Sequence, residues 1–269
     1  MTVRPLSARN PRVQRLTRLV RRREERAEQR AFVVEGPVLV AAALDAGTRV
    51  LEIYADEDHV ERPTVAAVLR RLPPEVSAWV LPAGVLERVG DTATSQGVVA
   101  VVERREVPWP IPATAPFVLV LADVADPGNA GTLIRAAAAA GAGGVVVGAG
   151  VDPTNPKVVR ASAGAVFGID VVVAETSADA VARLRSLGYR IVATSVHAGT
   201  PYYDVDLTGP VAIVVGNEAS GVGALILGAA HEIVTIPMAG PTESLNVAMA
   251  GTVLCFEVLR RQAPQVGDS

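Results

Sequence analysis

The sequence is poor in the side chains on which many catalytic signatures depend. Its 269 residues include one cysteine, Cys255, and three histidines, His59, His197 and His231. One cysteine excludes an intramolecular disulfide, and scattered histidines give no metal-ligand spacing, so we expect no metal site. The sequence also lacks a Walker A loop, a GxSxG elbow and a GxGxxG fingerprint. Phosphate-loop hydrolysis and serine-hydrolase chemistry therefore have no support, and nicotinamide-dependent dehydrogenation has only weak support.

Long apolar segments are also lacking. The N-terminus is polar and arginine-rich, unlike a secretory signal. The uncharged run 136–151 falls short of the roughly 20 residues that a membrane span requires. A single cysteine suits a reducing compartment. We therefore expect a soluble, cytoplasmic protein without a membrane partner.

Positive charge is distributed unevenly. Residues 1–30 hold ten arginines and three glutamates, a local charge of +7 in a chain whose net charge is −3. A basic segment on an acidic body favours contact with an anionic partner such as RNA, and Arg15, Arg18 and Arg22 are the predicted contacts. The alternative is a solvated arginine-rich helix without a partner.

The first part of the chain reads as a small α/β domain. Apolar residues at helical spacing predict a helix over 11–30. The stretch 106–116 has four prolines in eleven residues, which is typical of a linker. The predicted domains are 1–105 and 117–265, joined by the linker 106–116. Further elements of the first domain are strands 31–36, 50–55, 77–81 and 97–103 and helices 36–47 and 64–72.

The second part alternates more clearly between buried strands and helices. This alternation predicts a parallel, doubly wound sheet, in which ligands bind beyond the carboxyl ends of the strands. The predicted strands are 117–124, 144–149, 170–175, 190–196, 211–218 and 232–238. The predicted helices are 129–140, 155–166, 177–187, 222–230 and 244–262.

Polar side chains follow three of these strands. The loops read DPGNAGT (126–132), GNEASG (216–221) and PMAGPTESLN (237–246). Taken singly, each fits an ordinary capped turn, because asparagine and serine are good N-caps and glycine permits tight turns. Three such loops in one sheet instead favour a shared site. The polar residues of these loops include Asn129, Asn217, Glu218, Ser244 and Asn246, and Arg135 lies six residues after Asn129 in the helix that follows.

Together, the three loops resemble the three motifs of the SPOUT superfamily, in its SpoU/TrmH branch of RNA 2′-O-ribose methyltransferases. The resemblance covers about residues 115–262. The N-terminal part resembles the family's ribosomal-protein-like substrate-binding domain. The similar stretches are NPRVQRL…FVVEG (10–36), TATSQGVVAVV (92–102), DPGNAGTLIRAAAAAG (126–141), RASAGAVF (160–167), IVVGNEASGV (213–222) and IPMAGPTESLNVAMA (236–250).

The resemblance implies a fold that spacing alone does not give. Family members have a deep trefoil knot at the C-terminus and form obligate homodimers with the active site near the interface. Ordinary chain-connection rules would instead give an open sheet, because knots are nearly absent from proteins. The predicted helix 244–262 is apolar over much of its length, which fits burial against the knot and a partner. Simple packing in a monomer is the alternative.

The resemblance also implies a cofactor, S-adenosylmethionine, held largely by backbone groups of the loops. Carried over by position, Ser244 and Asn246 would face the methyl-transfer site, and Glu218 would orient Arg135 or a bound nucleotide. The implied catalytic residues are Arg135, Asn129, Glu218, Ser244 and Asn246. The implied cofactor contacts are Thr194, Gly216, Gly221, Ile236, Met238 and Leu245.

Two roles are open for Arg135. The family proposal makes it central, sometimes as a general base. Because arginine stays protonated at physiological pH, it is better suited to stabilise the 2′-oxygen and to clamp the adjacent phosphate.

The expected activity is RNA 2′-O-methylation. We favour 23S rRNA as substrate, because relatives with an extra N-terminal domain mostly modify large-subunit ribosomal RNA, whereas compact relatives often modify tRNA. The alternatives are a tRNA methyltransferase, a non-catalytic RNA-binding protein and a nucleotide-dependent oxidoreductase. The sequence lacks the glycine fingerprint that is typical of such oxidoreductases. The target nucleotide stays open, as does the choice between housekeeping modification and antibiotic resistance.

Overall fold

The computed structural model describes residues 4–90, 95–107, 109 and 116–262. Its contacts divide the chain into two units, Met1–Glu106 with Thr154–Phe167, and Val107–Pro153 with Gly168–Ser269. Most of the predicted linker, part of the stretch 92–102 and the predicted domain end at 265 lie outside the described residues. The two predicted domains did not anticipate that Thr154–Phe167 would group with the first unit.

The first unit contains a five-stranded mixed sheet. Its order is β1-β4-β3-β5-β2, with β5 antiparallel to both of its neighbours. The elements, in chain order, are β1 (Arg4–Pro5), α1 (Pro11–Arg21), α2 (Arg23–Glu28), β2 (Ala31–Glu35), α3 (Pro37–Asp45), β3 (Val50–Asp56), α4 (Pro63–Arg70), β4 (Ser77–Leu81), α5 (Val85–Val89) and β5 (Val98–Glu103).

Both faces of this sheet are buried, because successive residues of a strand point to opposite sides. In β2, Ala31 and Val33 join the cluster that includes the apolar face of α1. Phe32 and Val34 join the opposite cluster, which also receives Val159 from the segment 154–167. The first unit is therefore a sheet between two helical layers.

The second unit contains a seven-stranded sheet whose recorded strand pairs are all parallel. Its order is β10-β12-β9-β11-β6-β7-β8, which confirms the predicted parallel α/β sheet. The remaining elements, including α7 of the first unit, are β6 (Phe117–Leu121), α6 (Pro127–Ala139), β7 (Gly144–Val147), α7 (Pro156–Ala161), β8 (Val171–Val173), α8 (Ser177–Ser186), β9 (Arg190–Thr194), β10 (Thr200–Pro201), β11 (Val211–Val215), α9 (Ala224–Ala229), β12 (Glu232–Thr235) and α10 (Val247–Gln262).

Three predicted boundaries were wrong for local reasons. The last helix, α10, begins at Val247 rather than at residue 244. The predicted helix 155–166 stops at Ala161, because Ala163 and Gly164 adopt positive φ angles of 49° and 91°. The last long strand stops at Thr235, just before Pro237, which lacks the N–H that a ladder needs.

Two kinds of feature are missing from the part of the chain that the structure describes. No helix there is both long and apolar enough to cross a membrane. No group of three or more histidine, cysteine, aspartate or glutamate side chains there is arranged to hold a metal ion.

The contact between α6 and α10 depends on a glycine. A Cβ added at Gly251 would lie 2.3 Å from Cδ2 of Leu133, which is fully buried. We expect Gly251→Ala to lower the free energy of unfolding by about 1–3 kcal/mol through overpacking. Gly228→Ala is the matched control, since a Cβ there meets no atom within 4 Å. Equal urea midpoints for the two variants would contradict this close contact.

Candidate active site

The carboxylate of Glu218 joins the loop after β11 to the loop after β6. These strands are neighbours, with Val215 opposite Leu121, so their following loops start at the same edge of the sheet. The two Glu218 oxygens accept hydrogen bonds from the backbone N–H groups of Ala125 at 3.2 Å and Asp126 at 3.1 Å. The side-chain amide nitrogen of Asn129, Nδ2, donates to the same carboxylate at 2.9 Å.

Asn129 extends this network to the third loop. Its Oδ1 accepts a hydrogen bond of 3.0 Å from Nδ2 of Asn246. The Oδ1 of Asn246 in turn accepts from the backbone N–H of Ala248 at 2.8 Å, at the start of α10. Three of the five predicted catalytic residues, one from each loop, therefore form one hydrogen-bonded chain.

Arg135 and Ser244 lie outside this network. Both side chains are exposed, and neither has a hydrogen bond or ion pair among residues 4–90, 95–107, 109 and 116–262. Arg135 follows Thr132 by one helical turn on the exposed side of α6. Its guanidinium is therefore free to bind a ligand, and its catalytic role remains a prediction.

The surroundings of Glu218 favour its ionised form. Burial raises the pKa of this carboxyl group, but the hydrogen bonds from Asn129, Ala125 and Asp126 outweigh burial and lower the pKa below its ordinary value. The site therefore contains a fixed carboxylate at neutral pH. Its recorded bonds hold the first loop and do not reach Arg135.

Asn217 supports the second loop, although the sequence did not single it out as a site residue. Its Nδ2 donates to the carbonyl oxygen of Asp123 at 3.0 Å, and its Oδ1 accepts from the N–H groups of Ala219 and Ser220 at 2.9 and 3.1 Å. The signal was present in the sequence as an asparagine directly after a buried strand. Such a residue readily binds the backbone two positions ahead.

Gly216 is required by the close approach of this loop to itself. A Cβ at Gly216 would lie 2.2 Å from the carbonyl carbon of Gly221. Gly221 has a φ of 67°, in the left-handed region that glycine adopts at little cost. These two predicted cofactor contacts therefore let the second loop fold closely on itself.

The third loop combines apolar side chains with unpaired backbone. Ile236, Met238 and Leu245 are each partly exposed. Within the described residues, the backbone N–H groups of 238–245 form no backbone hydrogen bond. This combination fits a ligand with an uncharged ring that is recognised by backbone groups. The Thr194 hydroxyl is less available to donate to a ligand, because it already donates to the carbonyl oxygen of Val214 at 3.1 Å.

The basic segment of the first unit is partly neutralised internally. Arg15 pairs with Glu52 at 3.1 Å, and Arg18 pairs with Glu25 at 3.1 Å. Arg22 is exposed and has no side-chain partner in the described part of the chain. Of the three predicted RNA contacts, Arg22 is thus the most available, and all three remain predictions.

The Glu218 network should titrate in the acid range. Its bonds are present above the pKa of the unfolded chain, and they weaken as pH falls through the lowered pKa of the folded state. We expect the amide ¹⁵N and ¹H shifts of Ala125 and Asp126 to titrate with a midpoint below 4.5, the ordinary glutamate value. The transition should be absent in Glu218→Gln. A midpoint at or above 4.5 would contradict the network.

Comparison with known proteins places this geometry in a family. Residues 116–256 match the SpoU rRNA methylase family, and residues 10–100 match the MRM3-like substrate binding domain. Several curated relatives are named as 23S rRNA methyltransferases. The chain is 34% identical to the 23S rRNA (guanosine(2553)-2′-O)-methyltransferase RlmP of Bacillus subtilis, over 94% of this chain and 97% of that protein. It is 32% identical to a 23S rRNA (uridine(2479)-2′-O)-methyltransferase of Streptomyces viridochromogenes, over 96% of this chain and 93% of that protein.

A solved structure is similar over nearly the whole chain. It is the SpoU methyltransferase AviRb of Streptomyces viridochromogenes in complex with the cofactor AdoMet, with a TM-score of 0.86 and 30% identity. The match covers 94% of this chain and 98% of that one. The family match spans the strands and all three loops of the candidate site. The chain belongs to the SpoU rRNA methylase family.

Proposed function

We propose that this protein is an S-adenosylmethionine-dependent 2′-O-ribose methyltransferase that acts on 23S rRNA. The observation that carries the proposal is the hydrogen-bonded chain Glu218–Asn129–Asn246, which joins the three loops at the carboxyl edge of a parallel sheet. The names of the relatives and the domain matching residues 10–100 support RNA as substrate. An enzyme with this substrate would work in the cytoplasm.

The second and third loops suit the cofactor. S-adenosylmethionine supplies a methyl group on a sulfonium, which needs no further activation for transfer. Its adenosine part would meet partly exposed apolar side chains and unpaired backbone N–H groups, while the tight turn at Gly216 keeps side chains out of the way. The proposed contacts are Thr194, Gly216, Gly221, Ile236, Met238 and Leu245.

The polar residues position and polarise the ribose. Asn129 and Asn246 are fixed by each other and by Glu218, so their remaining hydrogen-bonding capacity has a set direction. Ser244, two residues before Asn246, is exposed and would bind the ribose or its phosphate. Arg135, always protonated, would stabilise negative charge that develops on the 2′-oxygen as its proton leaves to solvent.

A knotted C-terminus is part of the proposal. The strand order places β12 beside β9 and three positions from β6, while α10 packs on α6 and β11. The last helix thus returns to elements formed much earlier in the chain. This arrangement supports the trefoil knot that the family resemblance implies.

A homodimer is the second structural element of the proposal. On α10, Met249, Val253 and Phe256 follow one another at helical spacing. Met249 is 61% exposed and Phe256 is 44% exposed, and Val253 is half-buried. An apolar stripe of this kind is typical of a contact surface. We propose that a second copy of the chain covers it.

The dimer predicts a defined effect of one charge. Phe256→Asp should convert a dimer to a monomer, because a carboxylate would be buried without a partner. Leu225→Asp is the control, since Leu225 is 82% exposed on α9, outside the stripe. Light scattering after gel filtration measures both masses. A monomeric wild type, or a dimeric Phe256→Asp variant, would refute the assignment.

Arg135 should separate chemistry from cofactor binding. We expect Arg135→Ala to lower kcat by about 10²-fold or more, the usual cost of losing one transition-state donor. Its S-adenosylmethionine affinity, measured by calorimetry, should stay near the wild-type value. The control is Arg185→Ala on α8, whose guanidinium donates a hydrogen bond to the carbonyl oxygen of Ala229. Full activity of Arg135→Ala would remove this residue from the mechanism.

The unpaired Arg22 should contribute more to RNA affinity than the paired Arg18. Arg22→Gln should weaken binding and reduce the slope of log affinity against log salt by about 0.9, the value for one phosphate contact with a duplex. Arg18→Gln should have a smaller effect, because Glu25 already offsets its charge. An equal or larger effect of Arg18→Gln would reverse this ranking.

The substrate is tested by methyl transfer from labelled S-adenosylmethionine to unmodified 23S rRNA and, separately, to bulk tRNA. A single alkali-resistant linkage in 23S rRNA is the expected result, and its position supplies the nucleotide, which is guanosine in one named relative and uridine in another. Label in tRNA alone would overturn the substrate. Absence of cofactor binding would favour a non-catalytic RNA-binding protein.

A further inference from the structure

The first unit contains a cavity that is not lined by the three loops of the candidate site. It has a volume of about 500 Å³, within the range of small-ligand sites. The cavity lies where the end of α4 and the start of β4 meet β1. Arg4, Arg70, Glu75, Ser77 and Trp79 are among its lining residues.

Two of these residues are arginines with unused charge. Within residues 4–90, 95–107, 109 and 116–262, neither the Arg4 nor the Arg70 side chain has a hydrogen bond or ion pair. This contrasts with Arg15 and Arg18, which are paired with carboxylates. Both free arginines are exposed. Since a guanidinium matches the geometry of a phosphate and binds it through two parallel N–H bonds, these residues favour a phosphate-containing ligand.

The rest of the lining suits a nucleobase. Trp79 is half-buried and its indole nitrogen, Nε1, is buried without an acceptor, and the guanidinium of Arg12 lies 4.9 Å from its ring centroid. This contact and the packing of Trp79 against the core keep the wall of the cavity in place. Glu75 and Ser77, both exposed, supply a carboxylate and a hydroxyl. A carboxylate accepts hydrogen bonds from the amino groups that cytosine, adenine and guanine have and uracil lacks.

We propose that this cavity binds one unpaired nucleotide of the RNA substrate, its phosphate against Arg4 and Arg70 and the amino group of its base against Glu75. The inference rests on the proposed function, because it deepens the contact with the same RNA. Unpaired bases are the usual targets of sequence-specific RNA recognition. The cavity thereby selects substrates with an amino-bearing base in a loop or bulge.

Tryptophan fluorescence reports on the cavity directly. The chain has two tryptophans, so Trp109→Phe in the full-length protein leaves Trp79 as the only one. We expect a hexamer of cytidylate to change its emission with saturation, a hexamer of uridylate to bind at least fivefold more weakly, and cytidine monophosphate to bind more weakly still. Equal affinity for the two hexamers would refute the base contact. Tighter binding of the free nucleotide would refute RNA as the ligand.

A charge-matched pair of variants tests the phosphate contact. Arg4→Gln with Arg70→Gln should raise the Kd for the cytidylate hexamer about tenfold and lower the salt slope by about 0.7, the value for one single-strand phosphate. The control, Arg49→Gln with Arg62→Gln, removes the same charge at exposed positions of the first unit that do not line the cavity. Identical Kd values and slopes for the two double variants would overturn the proposal.

Methyl transfer separates this inference from the proposed function. If the wild-type protein is active, the Arg4→Gln, Arg70→Gln double variant should have a higher KM for 23S rRNA and the same kcat. If the wild type is active and this KM is unchanged, the cavity assignment fails and the methyltransferase stands. If the wild type transfers no methyl group while Trp79 still reports saturable binding of the cytidylate hexamer, the proposed function fails and the cavity assignment stands.

Discussion

One carboxylate determines how the candidate site is assembled. Glu218 accepts hydrogen bonds from two backbone N–H groups and from the Asn129 amide. It can do so because β6 and β11 are adjacent and in register, so the loops that follow them begin side by side. The backbone N–H groups of such loops have no partner in a β-ladder. A fixed carboxylate gives them the hydrogen-bond acceptors that water would otherwise provide. The geometry of Asn129, and through it of Asn246, depends on this interaction.

The site is built more from backbone than from distinctive side chains. Gly216 and Gly221 let the second loop fold closely on itself, and the Oδ1 of Asn217 closes the turn by accepting hydrogen bonds from the backbone N–H groups of Ala219 and Ser220. The third loop leaves its N–H groups available. This explains why the sequence has no metal-ligand cluster or nucleophile motif although the chain belongs to a methyltransferase family. A reaction that starts from an activated methyl group requires positioning more than covalent catalysis.

Sequence alone predicted the alternation of strands and helices in both units, because buried parallel strands are almost continuously apolar. It did not predict the contact between Asn129 and Asn246, which lie 117 residues apart, since that contact depends on strand order rather than on local pattern. The resemblance of the three loops brought both residues into the candidate set. The basic N-terminal segment shows another limit of sequence analysis. Its charge can be counted from the composition, but the composition does not show that Arg15 and Arg18 are paired with carboxylates.

The central claim is that Glu218 and Asn129 act as one unit, and a double-mutant cycle on methyl transfer tests it most directly. The rates to be compared are those of the wild type, Glu218→Gln, Asn129→Ala and the double variant, with 23S rRNA and saturating S-adenosylmethionine. If the residues act through a shared network, the double variant should be about as slow as the slower single variant. Losses that simply multiply would show independent contributions and would contradict the account.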